Sequence, residues 1–474
     1  IAAVWCACLA QQARAQIRVM SPESLVSHFG DTRGRIDGST ATFGAPFYGE
    51  RILGRLVWGE PHDKTNPHCT LDDYTVPPPD DVEVGGGKQQ RLIHIVMVRR
   101  GGCSFVTKVK AAQVKGAHAV IIVDAASSSL SPHDIRRIIV ADDGRGENID
   151  IPSILVSAKE GESLIQAATG RSSQVIIELA WDIPTNPVVT MDLWMSSASK
   201  ESMRFLRDFS KKRKELNHAI RFRPHFHVFG MEAGKDNGHL CTNSSAEYCA
   251  EVPDGPLVTG KDVLAEDVRQ LCIHELYKIT DPVDRTAVDY VTPWYAKEFW
   301  NYVEQLLESC PTDALHEDAR FGRACSERLM RQVGIDVGKV QLCADTTTEE
   351  KLRQQRRDTA WSPRALRING WRFHGALDAD LVTRALCAGF VQQPPACAAL
   401  VEPLNVFRIA RGGNHDDEEE GGVSFSTFVL AVLTVAGVIL GALLLYKRSL
   451  TRHIHSALRE EVMLEVQAQM DSYK

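Results

Sequence analysis

Between Leu92 and Val98 the chain is almost wholly apolar, and it then stops at Arg99-Arg100-Gly101-Gly102, a pattern that predicts a short buried strand closed by a turn. Phe105 to Lys115 places Val106, Val109 and Ala112 at helical spacing, with Gly116 as a C-terminal stop. Ala119–Val123 is again apolar, so a strand–helix–strand unit is predicted. Further strands are expected at Ile151–Val156 and Gln174–Leu179, with a helix at Glu160–Thr169 between them. Beyond Pro184 the pattern is mixed: strands at Met191–Met195 and Phe226–Phe229, and helices at Lys200–Lys214, Asp262–Ile279, Tyr295–Ser309, Ala319–Val333 and Asp380–Gly389.

Two segments lie outside this globular pattern. Ile1 to Ala10 is a short apolar run followed by Ala13-Arg14-Ala15, which reads as the remnant of a signal peptide over residues 1–15. Val423 to Tyr446 carries no charged residue; as a helix it would reach about 36 Å, against a hydrocarbon core of about 30 Å. Asp416 to Glu420 precede this run and Lys447, Arg448 and Arg452 follow it, which predicts a lumen-first, cytosol-last topology. The expected organisation is therefore a β-rich domain over 16–183, a cysteine-containing α/β region over 184–401 and an acidic linker over 402–422. A transmembrane helix over 423–446 and a cytosolic tail over 447–474, with an apolar stripe at Ile454, Leu458, Val462, Val466 and Met470, complete it.

Charge and cysteines narrow the function. The formal net charge of -7 is spread along the chain, which sets nucleic-acid binding aside. Ten cysteines follow Ala15, with no CxxC pair, arguing for disulfides in an oxidising compartment rather than zinc. Asn243-Ser244-Ser245 is a glycosylation sequon. Neither G-x-S-x-G nor H-E-x-x-H occurs, so no enzyme and no cofactor is expected. His225 and His227 could offer imidazoles to a metal, and Asp142 to Asn148 is rich in oxygens without the spacing of a calcium loop, so no metal site is assigned. Ser196 to Ser202, where a strand meets a helix, lacks the cysteines that dithiol chemistry needs.

That leaves binding, at Arg100-Gly101-Gly102-Cys103-Ser104-Phe105. Glycines permit a tight turn, helix-start amides face outwards and Arg100 supplies a cation, so the loop could hold an extended peptide. A rigid turn tied by a Cys69–Cys103 disulfide accounts for the same residues.

Those residues, with their flanking strands, resemble the protease-associated domain. Ser21 to Leu25, Phe43 to Gly49, Lys64-Thr65-Asn66 before Cys69, and Ile151-Pro152-Ser153 are similar to the N-terminal domain of the plant and algal vacuolar sorting receptors. Arg223-Pro224-His225, Tyr248-Cys249-Ala250, Gly260 to Val263, Val268 to Cys272, Cys310-Pro311, Gly334 to Val337 with Cys343, and Ala385 to Phe390 resemble that family's central segment. The resemblance implies an α+β protein: a luminal protease-associated domain, a divergent thioredoxin-like region and one membrane helix. It implies a type I cargo receptor of the Golgi, trans-Golgi network and prevacuolar or vacuolar membranes. Soluble vacuolar proteins would be its partners through sorting peptides bound at Arg100 to Phe105, and coat adaptors would read its tail. The family's usual Asp is replaced by Gly102 and its usual aromatic after the cysteine by Ser104. No cysteine-rich EGF-like repeat lies between Val401 and Val423, and the tail has no Tyr-x-x-apolar signal. His94 and His118, taken as near the loop, suggest release on acidification. The alternative is a membrane-anchored accessory to a protease or a ubiquitin ligase.

Overall fold

The computed structural model describes residues 15–63, 68–77, 81–84, 88–91, 93–170, 174–232, 238–242, 245–278, 295–403 and Lys447. Residues 1–14 of the expected signal-peptide remnant, Asn243, the apolar run 423–446 and the tail stripe lie outside the described residues, while Ala15 opens the first strand. Among the described residues no helix is long and apolar enough to cross a membrane.

The first half is built on a barrel. In chain order come β1 (Ala15–Ser21), α1 (Glu23–His28), β2 (Arg35–Thr40) and β3 (Arg51–Trp58). Two short hairpins follow, β4 (Glu60–Pro61) with β5 (Tyr74–Thr75) and β6 (Asp81–Val84) with β7 (Lys88–Arg91). Then come β8 (Ile93–Arg99), α2 (Phe105–Val114), β9 (Ala119–Val123), the short α3 (Pro132–Ile135), β10 (Ser153–Val156), α4 (Ala158–Thr169) and β11 (Ile176–Trp181). The barrel closes in the order β1-β11-β3-β8-β9-β10-β2, with β3, β8, β9 and β10 parallel.

The near-continuous apolar runs of β8 and β9 arise because both faces are buried. Ile95, Met97, Ile121 and Val123 fill the barrel. Val96, Val98, Val120 and Ile122 pack under Val106, Val109 and Ala112 of α2. Burying side chains of this size stabilises by about 1.5–3 kcal/mol each, which fixes where β8 ends and α2 begins.

The second half is a four-stranded sheet with helices. Its elements are β12 (Val189–Met195), α5 (Lys200–Leu216), β13 (Ile220–Phe226), α6 (Gly260–Tyr277), α7 (Lys297–Ser309), α8 (Arg323–Gln332) and α9 (Val337–Arg357). They are followed by β14 (Ala365–Ile368), β15 (Trp371–Arg372), α10 (Ala379–Ala388) and α11 (Pro395–Leu400). The strand order is β13-β12-β14-β15. The strand expected at Phe226–Phe229 instead runs from Ile220 to Phe226, since Ile220, Phe222, Pro224 and Phe226 alternate with Arg221, Arg223 and His225. α9 was not foreseen. Its buried side chains are only Val340, Leu352 and Gln355, too few for an apolar stripe to show. A Cys272–Cys343 disulfide ties it to α6.

The two halves meet through a small set of contacts. The Tyr48 hydroxyl donates to His374 O at 2.9 Å and accepts from His374 N at 2.8 Å, and its ring stacks on Phe373. Gly375 N donates to Ala41 O and Ala376 N to Gly44 O.

Candidate functional site

β8 carries the chain up to Arg100, whose amide donates to Val123 O at 2.8 Å and so extends the β8–β9 pairing past the strand end. The chain then reverses through Gly101 (φ 118°) and Gly102 (φ 79°), angles that only glycine adopts at little cost. At Gly101 a Cβ would meet no atom within 4 Å, so backbone conformation and not crowding selects glycine there. Cys103 is bonded to Cys69, pinning the turn to the segment before β5. Ser104 caps α2: its Oγ accepts from Thr107 N at 3.2 Å. Gly101 and Gly102 are exposed, and Arg100, Cys103, Ser104 and Phe105 are half-buried.

The cation of this loop is already held. Arg100 Nη1 donates to Asp124 Oδ1 at 3.1 Å, and the guanidinium lies 5.6 Å from the centre of the Phe105 ring. Asp124 is 1% exposed, accepts also from Ala125 N, and keeps Oδ2 without a partner. A buried carboxylate thus orients a guanidinium whose remaining donors can meet a ligand. Beside it, Arg99 Nη1 donates to Glu162 Oε1 at 2.5 Å, and the Arg99 guanidinium lies over Trp58. None of Trp58, Asp124 or Glu162 stood out in the sequence, because each reaches the loop from a distant strand or helix.

Below the loop lies His68, a buried residue at φ 57° between Trp58 and Tyr74. Its Nε2 is 2.8 Å from Gly59 O, and Arg99 N donates to its Nδ1 at 3.4 Å. Those partners assign the neutral tautomer protonated on Nε2. Burial pushes its pKa below the ordinary value, against a weaker upward pull from Gly59 O. Lys108 Nζ, also buried, lies 3.7 Å from Cys69 Sγ, and burial pushes its pKa down to about 8.

The expected placement of His94 and His118 is corrected. Both are buried at the opposite end of the parallel strands: His118 N donates to His94 O, and His94 N donates to His118 Nδ1. His94 precedes Arg100 by six residues, roughly 20 Å of strand. The histidine next to the loop is His68.

In the second half, the turn from β12 into α5 has the same outline and a different fate. Ser196, Ser197, Ala198 and Ser199 are all buried. Ser197 N donates to Asp267 Oδ1 at 3.2 Å, its Oγ donates to Val263 O, and Ser199 caps α5. Asp267 is itself buried, which pushes its pKa up to about 8. His225 stacks on Trp194 and His227 lies 3.8 Å from Glu251, so the two imidazoles have separate partners. Asp142 Oδ1 accepts from the amides of Gly144, Arg145 and Gly146, closing its own loop.

All ten described cysteines are paired: Cys69–Cys103, Cys241–Cys249, Cys272–Cys343, Cys310–Cys325 and Cys387–Cys397.

Against this geometry, residues 52–164 match the PA domain and residues 189–387 match the vacuolar sorting receptor thioredoxin-like domain. Vacuolar-sorting receptor 4 of Arabidopsis thaliana is 28% identical over 440 residues, covering 85% of this chain and 64% of the relative. Vacuolar-sorting receptor 1 of Pisum sativum is 27% identical over 437 residues, with the same two shares. The chain thus spans a little under two thirds of the length of these relatives. Among solved structures, DsbA of Mycobacterium tuberculosis is 13% identical, covering 46% of this chain and 92% of that one, at a TM-score of 0.29 too slight to carry an argument. The chain thus carries a PA domain followed by the vacuolar sorting receptor thioredoxin-like domain, and over most of its length it is similar to the vacuolar-sorting receptors.

Proposed function

We propose that the protein is a cargo receptor that binds sorting peptides of soluble proteins at the Arg100–Phe105 loop, in the Golgi lumen, for carriage to a vacuole or lysosome. The reading is supported by one observation above the rest. The loop is an exposed turn on a rigid mount, with Cys103 bonded to Cys69 and Arg100 oriented by buried Asp124. Binding there is reversible: backbone groups of the Gly101-Gly102 turn take an extended peptide, and Arg100 adds a charge-assisted hydrogen bond. The relatives are named as receptors, in keeping with a protein that performs no covalent chemistry. The apolar run at 423–446 would anchor it as a type I membrane protein, with coat adaptors reading the tail.

The test is capture by the full chain from secretory-pathway contents. Recovery of soluble vacuolar hydrolases, lost in Arg100→Ala with the fold intact by circular dichroism, is the expected result. Undiminished recovery with Arg100→Ala would remove the loop from the mechanism.

A further inference from the structure

The sheet of the second half carries a face that the loop reading leaves unused. Phe222 packs on Phe299 and Trp300 on the helical side, so Arg221, Arg223 and His225 share the opposite face of β13. Register then sets Arg223 beside Asp192, Asp192 beside Arg367, and Arg367 beside Arg372, a row across all four strands. At about 4.8 Å between strands the row is roughly 14 Å long. One step along, His225 lies beside Trp194.

The row is rich in cations. Its carboxylate, Asp192, is shared between Arg223 at 3.3 Å and His225 at 3.6 Å. Among the described residues neither Arg367 nor Arg372 has a carboxylate partner. Both lie over indoles instead: Arg367 is 4.9 Å from the Trp194 ring and 5.5 Å from Trp361, and Arg372 is 4.7 Å from Trp361. Trp194 is fixed in turn by stacking on His225 at 4.4 Å and by donating Nε1–H to Asp358 O at 2.6 Å. Nε and Nη2 of Arg372 are buried without an acceptor. Both arginines are half-buried, and stacking holds their planar forks.

We infer that this face is a second recognition surface, which takes an acidic peptide segment in extended form on Arg223, Arg367 and Arg372, with a flat side chain beside Trp361. Charge complementarity selects the occupant: a basic ligand would be repelled, and an apolar one would bury guanidiniums with no partner. Alternate side chains of an extended peptide fall about 6.8 Å apart, so two or three carboxylates fit the row. The surface stands independently of the Arg100 loop, which belongs to the first half of the chain.

The test is fluorescence anisotropy of the full chain with a labelled peptide of about ten residues alternating Glu and Tyr, against its Gln counterpart, near physiological salt. The Glu peptide is expected to bind about tenfold more tightly or better, a preference lost in Arg367→Gln/Arg372→Gln. Arg372→Lys, which keeps the charge and loses the fork, should retain only part of it. Arg100→Ala should leave it intact, which separates this surface from the loop. Thermal melts confirm that each variant folds. Equal affinity for the two peptides would overturn the inference, as would a preference that survives the double substitution. Two further outcomes would overturn it by assigning the face to another occupant: binding of phosphatidylserine vesicles without the peptide, or self-association abolished by the double substitution.

Discussion

The molecule makes the same local construction twice, and the two copies differ in what surrounds them. In the first half β8 runs into α2 through Arg100 to Ser104; in the second β12 runs into α5 through Ser196 to Ser199. Each helix begins with a serine cap, Ser104 or Ser199. The first turn stands exposed on two glycines and is pinned from the side by a disulfide. The second is walled in, with its amide and hydroxyl bonded inward to Asp267 and Val263. A strand-to-helix turn offers helix-start amides wherever it occurs. Exposure decides whether they serve a ligand or the core.

The largest expected effect comes from cutting the pin. Cys69→Ser with Cys103→Ser releases a crosslink of sequence separation 34 and should cost about 2–5 kcal/mol. Hydrogen exchange should rise across 99–104 and stay unchanged across 196–199. Equal acceleration at both turns would mean that they are not separately supported. Next in size is Asp124→Ala, which strips Arg100 of its buried partner while leaving the loop backbone alone. A loss of about 1–3 kcal/mol in stability and about tenfold in cargo capture is expected, with Asp124→Asn between the two.

The two turns also respond to pH in opposite senses. Asp267 has its pKa raised by burial to about 8, so the folded protein holds a proton that the unfolded chain releases near pH 4. That contribution is full at low pH and is lost as pH rises towards 8. Asp267→Asn keeps an oxygen acceptor for Ser197 N and cannot ionise. It should raise the thermal midpoint at pH 8 and leave it little changed at pH 4; an equal shift at both would show that the carboxyl is not titrating.

Much of the fold could be read before the structure, for a physical reason. β8 and β9 are buried on both faces and α2 along one side, so their apolar positions are dense and bounded by Gly101 and Gly116. β13 was displaced because three of its residues are Arg or His on the less covered face, and α9 was missed because a disulfide does the holding that an apolar stripe usually does. The loop residues were legible as a motif. Their supports were not: Asp124, Glu162 and His68 are ordinary polar residues until the barrel closes, and partners that converge from separate strands leave no spacing to detect. The same limit explains why His94 and His118, adjacent in sequence to the right strands, sit at their wrong end.

His68 gives the smallest effect and the sharpest test of the comparison. Its Nδ1 accepts from Arg99 N while Nε2 donates to Gly59 O, so a second proton on the ring would set two donors against each other. Its pKa is therefore below the ordinary 6.5, as burial also requires. The unfolded chain takes up that proton first as pH falls, so the stability contributed is complete above pH 6.5 and is lost below it, by at most about 1.4 kcal/mol per pH unit. Acid should thus loosen the turn at Arg100 while it steadies the turn at Ser197. Hydrogen exchange at pH 7 and pH 5, corrected for intrinsic rates, should show residues 99–104 losing protection and 196–199 keeping it. His68→Gln retains a donor and an acceptor and has no proton to gain, so it should flatten the response at the loop alone. If the loop still loosens in acid with glutamine at position 68, the titrating group lies elsewhere, and acid release of cargo has to be sought in the ligand or in another part of the chain.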